Sequence, residues 1–242
     1  MAVRQFQILL ISGLFSVSIT HAAQKISFSM PHGLYSDPVE VSLSADNQTG
    51  YSIHYTTDGR VPCPSDSVYN GPVTINETTI LRAAIYADGI SDGNNAAPVS
   101  DVATASYLFV SSILSQSEHP HGYPSVWGPF IGIPGNAPAD YGMDQELLSD
   151  STFCLRASQG LYQLPIVSVM TDPDCLFSHD MDEQKGGIYI YTGSEKSDGY
   201  GRGWERPASI EIFGTLSDSD VQADCGIRIH GGCRRVPEKN PK

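Results

Sequence analysis

The residues best suited to chemistry in this chain come as pairs of carboxylates. Asp140 with Asp144, and Glu205 with Glu211, have the complement that a glycoside hydrolase divides between an acid and a base. Their neighbours give each pair a plainer reading. Glu205 adjoins Arg206 as a local ion pair, and Glu211 stands between Ile210 and Ile212, where alternation puts it on the solvent side of a strand. His230-Gly-Gly232 has the form of an oxyanion-hole turn, yet no Gly-x-Ser-x-Gly supplies an esterase nucleophile. His119-Pro-His121 is half a metal site with no carboxylate or cysteine partner in reach by sequence. Asp172 with Asp174, and Asp218 with Asp220, are acidic enough for calcium but lack the loop pattern of a dedicated site. No complete catalytic constellation emerges, and no cofactor or metal is expected.

Aromatic side chains have a different use, because a ring face packs well against the C–H face of a pyranose. On that ground Tyr35, Tyr69 and Trp204 are the candidate ligand-binding residues, with Tyr51 and Tyr86 open to the same argument. Packing in a core or a turn is the competing role for each. Five cysteines, Cys63, Cys154, Cys175, Cys225 and Cys233, allow two disulfides in an oxidising compartment. Cys154 with Cys175 and Cys225 with Cys233 are the candidate pairs, which leaves Cys63 alone; the alternative is five small buried hydrophobes. No Cys-x-x-Cys occurs, which argues against a zinc or thioredoxin-like site.

The 242 residues suffice for one large domain or two ordinary ones, and the formal charge of −13 argues against nucleic acid as a partner. Residues 1–22 have the form of a secretory signal peptide: Arg4, an apolar run from Ile8 to Val17, and small residues suited to cleavage after Ala22. No later stretch reaches about 18 apolar residues. The expectation is a secreted or cell-surface protein that meets a membrane only through its leader during export.

The elements that must position these residues are mostly strands. Tyr51, Ile53 and Tyr55 alternate with Ser52, His54 and Thr56, and Asp58-Gly59 follows as a tight turn. Short β patterns recur at Ile26–Met30, Val39–Leu43, Pro72–Ile75, Ile80–Tyr86 and Thr104–Val110. That spacing predicts an antiparallel, immunoglobulin- or fibronectin-like β-sandwich over residues 23–110. Within it, Asp58 caps a turn and Arg82 snorkels over the sheet edge. Residues 111–138, rich in Pro and Gly, form a linker or an irregular strap. Residues 139–242 form a mixed, mostly β second region. Its strands are expected at Leu164–Met170, Gly187–Tyr191, Ala208–Phe213 and Cys225–His230, with a helical turn at Met143–Leu148 and a capped one after Asp172.

Two resemblances add to this reading. Tyr55-Thr-Thr-Asp-Gly59, then Pro62, Ser65, Ser67, Tyr69-Asn-Gly-Pro72 and Thr78-Thr-Ile-Leu-Arg-Ala83, resemble the β-sandwich module at the C-terminal end of chitobiase and β-hexosaminidase-type enzymes, copies of which accompany fucosidase-like hydrolases. The likeness covers roughly Ile26 to Phe109, departs at Cys63, and implies an accessory module without catalytic residues. Leu164-Pro-Ile-Val-Ser168, Trp204-Glu-Arg-Pro-Ala-Ser-Ile-Glu211 and Gly226-Ile-Arg-Ile-His-Gly-Gly232 look like the opening segment of the CotH-like spore-coat kinase family. That resemblance implies a larger lobe beyond Lys242 carrying metal-binding and catalytic carboxylates, so residues 139–242 are expected to be an incomplete copy. The function expected is a secreted, non-catalytic module serving as a carbohydrate-binding element or a spacer, with a polysaccharide or cell-surface glycan as its partner. The alternatives are an N-terminal fragment of a CotH-like protein and an adhesion or surface-display protein.

Overall fold

The computed structural model of the protein describes residues 24–46, 49–89, 96–126, 138–178, 180, 182, 185–188, 205–214 and 220–228. Nine strands cover the first half: β1 (Ile26–Phe28), β2 (Gly33–Tyr35), β3 (Val39–Val41), β4 (Leu43–Ala45), β5 (Tyr51–Thr56), β6 (Ser67–Val68), β7 (Val73–Ile75), β8 (Thr79–Ala87) and β9 (Ala103–Phe109). Five of them form one sheet in the order β2-β9-β8-β5-β6, while β1 pairs with β4 and β3 with β7. Every one of these pairings is antiparallel except β2 with β9, which is parallel.

Alternation explains how the two layers close. On β8, Leu81, Ala83 and Ile85 point to one side and meet Ala105, Tyr107 and Phe109 of β9. Ile26, Val41, Leu43 and Ile75 come from the two paired ribbons and complete the same core. The chain is mainly β, and its first half is a β-sandwich, as its sequence predicts.

The second half begins with α1 (Val110–Leu114), a single helical turn that continues directly from β9. It continues through α2 (Gln145–Ser149), α3 (Ser151–Gln163), β10 (Ile166–Met170), α4 (Pro173–Phe177), β11 (Arg206–Phe213) and β12 (Val221–Ile227). Asp150 starts α3 by accepting hydrogen bonds from the amides of Thr152 and Phe153, and Pro165 lies just beyond its end. Asp172 caps α4 by accepting from the Asp174 amide, with Pro173 at the first helical position, as expected. Strands β10, β11 and β12 form an antiparallel sheet in that order. The last of these lies a few residues earlier than the predicted Cys225–His230 strand. Most of the predicted Gly187–Tyr191 strand falls outside the described residues.

This sheet reverses the expected sidedness. Its polar face lies against the outer face of β9, whereas Val167, Val169 and Val221 on the other face are largely exposed. Glu211, expected on the solvent side, is 0 % exposed, and Arg82, expected to snorkel, is 6 % exposed. A third layer over the sandwich is the reason for both.

Candidate functional site

The densest chemistry lies in the seam between β9 and the third sheet. Cross-strand register sets Ser168, Glu211 and Gln222 side by side on β10, β11 and β12. On β9, Thr104 and Ser106 alternate with the core-facing Ala103, Ala105 and Tyr107, so they face this row. The Gln222 side chain donates to the carbonyl of Thr104, and the hydroxyls of Ser106 and Ser168 lie 2.7 Å apart. Glu211 Oε2 accepts from the Ser106 amide at 3.0 Å, and Oε1 accepts from Nδ1 of His32 at 2.8 Å. The His32 ring stacks on Phe213 with centroids 5.0 Å apart. Burying a carboxylate is costly unless its lone pairs are met; here each oxygen has a donor.

A carboxylate on one histidine nitrogen is also the orienting half of a nucleophilic triad, so the other nitrogen decides the chemistry. His32 Nε2 faces a second carboxylate, Asp220 Oδ2 at 3.4 Å, rather than a hydroxyl. Ser106 presents its backbone N–H to Glu211, and its hydroxyl shares a hydrogen bond with that of Ser168. This arrangement clamps two sheets together; it does not prepare a nucleophile.

A buried guanidinium stands nearby. Arg82 Nη1 donates to the carbonyl of Gly59 at 3.1 Å, and burial, with Asp224 and Asp172 opposing it, lowers its pKa. Further along the same face of β8, Tyr86 donates to the Pro62 carbonyl at 2.6 Å. The turn predicted at Asp58 is present: Oδ1 accepts from the Arg60 amide, while the Arg60 guanidinium bonds both Asp58 and Asp66. These two carboxylates, Asp58 first, hold the Arg60 pKa above its ordinary value.

The residues singled out by sequence scatter. Tyr35 packs against the sandwich core beside Tyr107 and Phe109 and donates to the Pro31 carbonyl at 2.6 Å. Tyr69 also packs, half-buried, against that core. Trp204 and His230 lie outside the described residues. Asp140 accepts from the Gly142 amide and Asp144 from the Glu146 amide, so each shapes a local turn. Glu205 and Glu211 are six residues apart in an extended run, roughly 20 Å at strand rise, well beyond the span of a glycosidase pair. His119 and His121 are exposed, and no group of three or more metal-ligating side chains occurs among the described residues. The expected Cys154–Cys175 bridge is not formed: proximity in sequence places one on α3 and the other on α4, and both are free thiols. Burial pushes the Cys175 thiol pKa up. Cys63 and Cys225 are free as well, and Cys233 lies outside the described residues.

Thr104, Ser106 and Gln222 escape a sequence reading because a polar residue between apolar ones usually marks a wet face, and His32 escapes it because it stands in a loop between Pro31 and Gly33. A signal was present nonetheless. The outward positions of β9 carry Thr104 and Ser106 where a free sheet face would carry longer charged residues.

Comparison with known proteins reaches the first half alone. The family model of the chitobiase/beta-hexosaminidase C-terminal domain matches residues 30–97, under a third of the chain. No curated protein and no solved structure matches the chain. The resemblance of the second region to CotH-like proteins finds no support in these comparisons.

Proposed function

We propose that this chain is an accessory, non-catalytic β-sandwich module of an exported protein and that it binds carbohydrate. The observation that carries this reading is the match of residues 30–97 to the chitobiase/beta-hexosaminidase C-terminal domain, which falls on strands that share one core. The fate of Glu211 supports it, since both oxygens of that carboxylate are committed to joining two sheets. The partner is a polysaccharide or a cell-surface glycan, and a net charge of −13 repels nucleic acid. Residues 1–22 have the features that would direct it out of the cell.

Incubating the purified chain, from Ala23 onward, with insoluble chitin, cellulose and a bacterial cell-wall preparation tests the reading. The chain is expected to be retained on at least one glycan and released by soluble oligosaccharide. Failure to bind all of them, or cleavage of a glycoside or transfer of phosphate by the chain itself, would overturn it.

A further inference from the structure

Where the third sheet meets the sandwich, a cleft of about 430 Å³ opens between β1, the start of β9 and the edge strand β12. That volume falls in the range of small-molecule sites. Its walls carry two amides, Gln24 and Gln222, two carboxylates, Asp101 and Asp224, one ammonium, Lys25, and one aromatic ring, Phe28. We infer that this cleft is a binding site for a neutral, hydroxyl-rich ligand, namely a segment of a sugar chain. The inference rests on the carbohydrate reading above and gives it a location.

The chemistry of the wall selects the ligand class. A sugar hydroxyl donates and accepts at once, and amides and carboxylates are the groups that meet adjacent hydroxyls with paired acceptors and donors. Phe28 is half-buried and packed against the core, so its ring is held in place as an apolar surface. One ammonium beside two carboxylates gives no field to hold a polyanion. So many polar side chains make the cleft a poor home for an apolar ligand.

Two details point to a prepared site. Gln24 Oε1 is shielded from solvent without a hydrogen-bond partner, an unmet acceptor that a turn of the side chain toward the cleft would bring to a ligand hydroxyl. Gln222 is locked by its hydrogen bond to the Thr104 carbonyl, which fixes the amide with Oε1 as its remaining acceptor. All six residues lie outside residues 30–97; four come from the sandwich and two from β12, so the cleft is formed at the joint between the sandwich and the third layer.

Calorimetric titration of the chain from Ala23 onward with chitohexaose and cellohexaose tests this, alongside D101A and K25A. Neither side chain takes part in the Glu211 seam. At least one oligosaccharide is expected to bind, with a Kd raised tenfold or more in both variants while their unfolding midpoints stay at the parent value. Parent-like binding by both variants would overturn this site and leave the carbohydrate reading standing. If the parent chain binds neither oligosaccharide and no insoluble glycan, both fall.

Discussion

Glu211 accepts a 2.8 Å hydrogen bond from His32, a residue 179 positions away in the chain. The contact joins β11 of the last sheet to the loop before β2, and the same carboxylate takes the Ser106 amide of β9. One buried side chain therefore touches two separate segments of the sandwich.

Removing that carboxylate should leave His32 and the Ser106 amide without their acceptor. Losing one partner of a buried pair typically costs about 3–5 kcal/mol. Glu211→Ala is expected to fall in that range by urea unfolding followed by circular dichroism. Adding His32→Ala should cost much less than the two single changes summed, because both remove the same contact. A loss under about 1 kcal/mol for Glu211→Ala would mean that the seam holds little.

The apolar core sets a comparison of a different kind. Leu81 is fully buried among the β8 and β9 side chains, whereas Leu155 on α3 is 58 % exposed. Leu81→Ala should destabilise by about 2–5 kcal/mol and Leu155→Ala by no more than about 0.5 kcal/mol. Equal losses in thermal or urea unfolding would contradict the assigned core.

The sandwich was legible because its signal is local. Period-two alternation in Tyr51–Thr56 and Ile80–Tyr86, with turn chemistry at Asp58-Gly59, needs no knowledge of distant partners. The helix cap at Asp172 was legible for the same reason. Glu211 was not, since its flanking isoleucines give the same pattern whether its face meets water or another sheet. What decides between them is Ser106 and His32, more than a hundred residues away in sequence. Arg82 was misjudged on similar grounds, its partner being the Gly59 carbonyl across a folded-back loop. Helix α3 was missed despite two usable signals, Asp150 as cap and Pro165 as stop, because Gly160 and Thr152 weaken its helical pattern.

Two glycines should respond unequally to a methyl group. A Cβ on Gly187 would run into the backbone of Leu176 and Phe177, which cannot swing aside. One on Gly226 would meet only the exposed side chain of Glu205, which can rotate away. Gly187→Ala is expected to lower stability by roughly 1–3 kcal/mol, and Gly226→Ala by well under about 1 kcal/mol. Thermal unfolding of the two variants distinguishes them, and a reversed order would refute the packing at α4.

Asp66 gives the chain an acid sensitivity. Burial alone would raise its carboxyl pKa, but the Cys63 amide and the Arg60 guanidinium outweigh it and bring it below 3.8. A carboxyl with a lower pKa folded than unfolded contributes its full stability above the unfolded value and loses it as pH falls through the folded one. The stability gap between the parent chain and Asp66→Asn should therefore be constant near neutrality and close below about pH 4. Urea midpoints across pH would show it, and a gap that widens in acid would refute the assignment.

The most direct test of the three-layer account is amide hydrogen exchange at Ser106, whose N–H is bonded to the Glu211 carboxylate. The account predicts slow exchange at Ser106 in the parent chain. In Glu211→Ala it predicts markedly faster exchange there, with the core amides of Leu81 and Ile85 still protected. Rapid exchange at Ser106 in the parent, or a rate indifferent to the Glu211 substitution, would contradict it.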